Sequence, residues 1–138
     1  MIEAGLRALL LTKPEVTNLT ERRVRCVKLR ETDTFPAIVI ACPEQEHIND
    51  IQAQGGAVNS TVQVMCMAPS LETSRQLAEE VRMILAGYTG PAGDSDIDAI
   101  YVDNTNSAFV PFDDGGENGT YSVDLICLVQ HAEAVPNN

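Results

Sequence analysis

Tryptophan is absent from this chain of 138 residues, and three tyrosines and three phenylalanines are its only other large aromatics. With 44% hydrophobic residues, the core must be mostly aliphatic and is of a size for one ordinary domain. Basic residues are scarce too: nine lysines and arginines stand against twenty aspartates and glutamates, a net charge of -11. Such a surface repels nucleic-acid phosphate, which excludes a protein that grips DNA but not one that DNA passes. No apolar run approaches the roughly 20 residues of a membrane span. Glu3 precedes a short apolar face and Lys13-Pro14 follows it, the wrong layout for a signal peptide, so a cytoplasmic protein is expected. Close cysteine pairs are missing as well. Cys26, Cys42, Cys66 and Cys127 lie far apart in strand-like runs, which points to reduced, buried thiols rather than zinc ligands.

What is present is organised around Ser70 to Tyr88. Leu71, Leu77, Ala78, Val81, Ile84, Leu85 and Tyr88 recur at helical spacing, with charged residues between them. Ser70 is placed to cap this helix, Glu72 suits its positive end, and Gly87, Gly90 and Pro91 stop it. A first helix is expected over residues 1–12, ended by Lys13-Pro14, with 15–21 as a polar link.

Arg22 to Arg30 alternates imperfectly, with Arg23, Arg25, Val27 and Leu29 on one side and Val24, Cys26, Lys28 and Arg30 on the other. That reads as an edge strand guarded by charge. Four arginines and Lys28 make it the one basic patch of the chain, either a solvated edge or a contact for an acidic surface on a neighbouring subunit. Phe35 to Cys42 reads as a central strand covered on both faces and closed by Pro43, with 43–56 as a long polar loop. Ala57 to Ala68 alternates well and buries Val58, Ser60, Val62, Val64 and Cys66; Met65 and Met67 on its other face belong either to the core or to an interface. Thr89 to Asp96 is read as loop, Ile97 to Val110 as a fourth strand, Pro111 to Gly119 as an acidic turn-rich loop, and Thr120 to His131 as a fifth strand. The expected architecture is a single α+β domain over 1–131 with a frayed tail over 132–138. A mostly antiparallel sheet of about five strands carries two helices on one face, in the order α-β-β-β-α-β-β.

Catalytic signals are weak. Asp94, Asp96 and Asp98 begin like a calcium loop, but Ala99 and Thr105 stand where that loop needs glycine and glutamate. Asp113, Asp114 and Glu117 beside Gly115-Gly116 are ordinary turn chemistry, with weak cation binding as the sharper alternative. His47 and His131 have no visible triad setting, and no nucleophile elbow or phosphate-binding glycine pattern occurs. No cofactor and no enzyme activity are expected.

The whole layout resembles the tail-completion, or tail terminator, proteins of long-tailed bacteriophages. MIEAGLRALLLTKPEV is similar to that family's opening helix and FPAIVI to its second strand. STVQVMCMAPSLETSRQLAEEVRMIL resembles its strand–turn–helix signature, and GTYSVDLICLV its last strand. The resemblance covers roughly 1–131, and the long 43–56 segment and high acidity depart from it. It implies a homo-oligomeric ring, typically a hexamer, that caps the finished tail tube, stops tube polymerisation and docks to the head-side connector, with DNA passing through. It implies a place in the virion, after assembly in the host cytoplasm, and carries over no catalytic residue.

A ring needs one patch to meet a different patch on the neighbour. The basic Arg22, Arg23, Arg25 and Arg30 and the acidic Glu44, Glu46, Asp50, Asp113, Asp114 and Glu117 are the candidate interface residues. Rival readings are another head–tail connector or neck ring and, more remotely, a small oligomeric metabolite-binding protein or enzyme, which would need a pocket with convergent polar groups.

Overall fold

The structure, a computed structural model, describes residues 1–30, 32–47, 57–111 and 119–132. Its element order is α1 (Ile2–Leu11), α2 (Pro14–Thr20), β1 (Val24–Cys26), β2 (Ala37–His47), β3 (Ala57–Ala68), α3 (Leu71–Leu85), β4 (Gly90–Ala92), β5 (Ser95–Pro111) and β6 (Gly119–Ala132). The six strands form one sheet in the order β1-β2-β3-β6-β5-β4, with β1 parallel to β2 and every other pair antiparallel. The α+β class stands, with three helices and six strands in place of two and five.

One face of the sheet is the core. Ile38 and Ile40 of β2, Val62, Val64 and Cys66 of β3, and Val123, Leu125, Cys127 and Val129 of β6 meet Ile2, Leu6 and Leu10 of α1 and Leu77, Val81 and Leu85 of α3. The alternation of β3 and β6 dictates this, since residues two apart line one face. Helix α1 packs on β1, β2 and β4, and α3 packs on β3, β5 and β6.

Local chemistry fixes α3. The Ser70 hydroxyl accepts the Thr73 N–H at 3.2 Å, capping the first turn. Buried Ser74, a polar residue on the apolar face, donates to the Cys66 carbonyl at 2.6 Å and so pins the helix to the end of β3. At the other end Gly87, at φ +76, turns the chain and donates its N–H to the Ile100 carbonyl at 3.0 Å, tying the helix exit to β5.

Four expectations change in detail. Residues 15–21 are not a link, because Pro14 opens α2 at its first position, where its missing N–H costs nothing. The basic segment holds only a three-residue strand, since Arg22 and Val27 take positive φ at either end of it. Pro43 does not close β2; a register shift between Ala41 and Glu44 absorbs it and the strand runs on to His47. Within Thr89–Asp96, Gly90–Ala92 forms β4 and pairs with Ser95–Ile97. Gly5 lets α1 approach that hairpin, because a Cβ at Gly5 would run into the Ala92 carbonyl.

Candidate assembly surfaces

The basic segment splits into a tied half and a free half. Arg25 reaches back to Asp33 with two hydrogen bonds, each 3.1 Å, and both side chains are largely covered. The Arg25 guanidinium, helped by the Arg30 N–H at 2.8 Å, holds the Asp33 carboxyl below the usual carboxylate range. Arg23 donates to the Pro36 carbonyl at 3.1 Å and pairs with Glu21 at 2.8 Å. Arg22, Lys28 and Arg30 are exposed, and Arg22 and Lys28 form no ion pair among the described residues.

Between these cations stands Val27. Its N–H bonds to the Ile40 carbonyl, while the Lys28 N–H folds back to the Cys26 carbonyl at 2.9 Å and closes a three-residue turn. Val27 holds φ +73 with 66% of its surface exposed. For a β-branched residue that is a strained backbone, and this form of γ-turn is the rare one. Nothing in an alternating strand pattern signals it, so Val27 is legible in sequence only as a strand residue.

The acidic candidates Glu44 and Glu46 lie exposed on the far half of β2, beyond the register shift. Asp50, Asp113, Asp114 and Glu117 lie outside the described residues. Cross-strand pairing puts Glu44, Thr61, Leu128 and Tyr101 in one row across β2, β3, β6 and β5, on the face away from the helices. Glu46, Asn59, Gln130 and Ala99 form the next row. Together the rows line a concavity of about 340 Å³ with apolar Leu128 and Tyr101 in it and two carboxylates at one side. Leu128 and Tyr101 are 41% and 58% exposed. Neither residue stands out in the sequence; Leu128 is legible only as one of two apolar residues, with Ile126, on the outer face of β6.

A second surface follows the margin of β5. Strand β4 covers only Ser95–Ile97, so the margin from Asp98 to Pro111 has no strand partner among the described residues. Between this margin and α3 run two adjoining concavities of about 490 and 340 Å³ that share Arg82 and Thr105. Arg82 is held over them by Glu79, at 2.5 and 3.1 Å. Phe109 packs on Tyr121 with ring centroids 5.1 Å apart.

His131 and the buried cysteines serve the fold. His131 is buried at the end of β6 with its Nε2 2.7 Å from the Ser60 hydroxyl, which also accepts from Gln45. Burial pushes the Cys127 thiol up to about 12 and the Cys66 thiol higher still, so neither supplies a thiolate at neutral pH. Cys26 and Cys42 are half-buried thiols, and that of Cys42 donates to the Glu44 carbonyl at 3.4 Å. No cluster of three or more metal-ligating side chains occurs among the described residues, and no helix is long and apolar enough to cross a membrane.

A profile described as "Tail completion protein gp17" matches residues 4–125. The chain belongs to the tail completion protein gp17 family. It is accordingly a structural protein of the phage tail and of the virion. The fold agrees: a chain from the virion of a native gene transfer agent particle superposes with a TM-score of 0.69 at 10% identity, covering 95% of this chain and 94% of that one. No curated protein sequence matches.

Proposed function

We propose that this tail completion protein caps the finished tail tube as a closed ring of identical copies, six by its resemblance to tail terminators. The ring stops tube polymerisation and offers its other side to the head-side connector. The observation that carries this reading is the family match over residues 4–125. The physical features fit it. The chain carries 20 acidic against 9 basic residues, so a ring of copies repels the DNA that passes through rather than holding it. The exposed basic corner and the acidic far half of β2 are different patches on one chain, as a head-to-tail ring requires. No step of this role needs a cofactor or catalysis.

The nearest rival is a neck or connector ring that never touches the tube. Electron microscopy of tail tubes growing from purified subunits separates the two. The cap reading expects tubes that stop growing once the protein is added, with extra density at one end. Tubes that lengthen unchanged and bind no protein overturn it.

A further inference from the structure

We propose that the corner after β1 of one copy, Val27 flanked by Arg22, Lys28 and Arg30, seats in the outer-face concavity of the next copy, over Tyr101 and Leu128 and beside Glu44 and Glu46. The proposal rests on the ring reading above and supplies its subunit contact.

Three observations converge on a second copy as the occupant. The first is charge. The corner presents exposed cations around one apolar side chain, and the concavity presents two exposed carboxylates beside two apolar side chains. Opposite charges facing across a contact steer the encounter and fix its register. In a chain of net charge -11 such cations are few, and a neighbour with the same composition supplies the carboxylates.

The second is position. Val27 follows the strand at one margin of the sheet, and Tyr101 lies on the strand next to the other. A contact between them joins unlike patches near opposite margins, so it repeats from copy to copy and closes a ring wherever the rotation between copies closes.

The third is strain. A β-branched residue held at positive φ and pushed into solvent is costly in the free chain. Seating Val27 on Tyr101 and Leu128 gives that conformation something to bury. The concavity of about 340 Å³ is larger than a valine side chain alone and accepts the turn around it.

A charge-swap cycle tests the contact. One variant carries Lys28→Glu and Arg30→Glu, a second carries Glu44→Lys and Glu46→Lys, and a third carries all four. A fourth, Val27→Asp, tests the apolar part. Circular dichroism and melting establish that each is folded, and ring formation on tail-tube subunits is then titrated. The first two variants and Val27→Asp should each weaken ring formation by about tenfold or more, and the four-fold variant should recover most of the loss. If the wild-type protein forms rings and the folded reversals form them equally well, this contact is wrong and the ring reading stands. If both reversals weaken rings but the combination recovers nothing, the direct pairing is wrong. If the wild-type protein forms no ring with tube subunits, the ring reading fails and this contact fails with it.

Discussion

The two margins of the sheet are built in opposite ways. The β1 margin is three residues long, bracketed by positive φ at Arg22 and Val27, and carries Arg23, Arg25 and Lys28 in or beside it. The β5 margin runs from Asp98 to Pro111, and from Asn104 to Pro111 it carries no charged residue. Shortness and charge are how a protein keeps an edge from pairing with another chain. The β1 margin uses both. The β5 margin uses neither along most of its length, and it exposes Tyr101, Phe109 and Val110. The comparison teaches that this chain is finished on one side only. Its guarded margin presents charged side chains, and its open margin still offers backbone N–H and C=O groups.

The largest expected effect comes from removing what both margins rest on. Leu77→Asp or Val81→Asp places an unpaired charge at a fully buried position between α3 and the sheet. Each should cost about 4 kcal/mol or more and leave the chain unfolded by circular dichroism at 25 °C. Next is Gly5→Ala, which drives a Cβ into the Ala92 carbonyl and pushes α1 off β4, the strand that covers Ser95 to Ile97 of the β5 margin. A loss of about 1–3 kcal/mol is expected, with faster amide exchange at Ser95 to Ile97.

Smaller again is Val27→Gly. It relieves the positive φ and should raise the stability of the free chain by about 1 kcal/mol in chemical denaturation while weakening assembly, which separates the strain of the guarded margin from its use.

The Arg25–Asp33 pair sharpens the same margin through pH. Asp33 titrates lower in the folded chain than in the unfolded one. Its contribution is therefore fully present above the unfolded carboxylate value of about 4 and disappears as pH falls through the folded value. Asp33→Asn should be less stable at neutral pH and lose less stability than the wild type between pH 5 and the acid limit, read from melting temperatures across pH. A variant that keeps the wild-type acid slope would show that the pair does not hold this corner.

Much of the fold was legible. The stripe Leu77, Ala78, Val81 and Leu85 is the buried face of α3, and the alternation of Val58 to Cys66 is the buried face of β3. Both are strong periods sustained over many residues. What failed to show had weak or double-edged signals. Pro14 reads equally as the stop of one helix and the first residue of the next. Pro43 looks like a strand end, yet a bulge carries β2 past it. Gly90–Ala92 is too short and too rich in turn residues to announce a strand.

The candidate site was legible in its charges and not in their use. Arg22 and Arg30 are exposed, but Arg23 and Arg25 are engaged by Glu21 and Asp33, partners that only the folded loop brings near. Tyr101 and Leu128 come together only through the β5–β6 register, so the apolar part of the concavity could not be read from either strand alone.

The central claim, that this chain works by assembling at the end of a tail tube, is tested most directly by its mass in solution. Light scattering should be run on the protein alone and then with purified tail-tube subunits. The account predicts a closed ring, or a monomer that becomes a ring on meeting the tube and leaves the tubes capped and short. A stable dimer that ignores tube protein would contradict it.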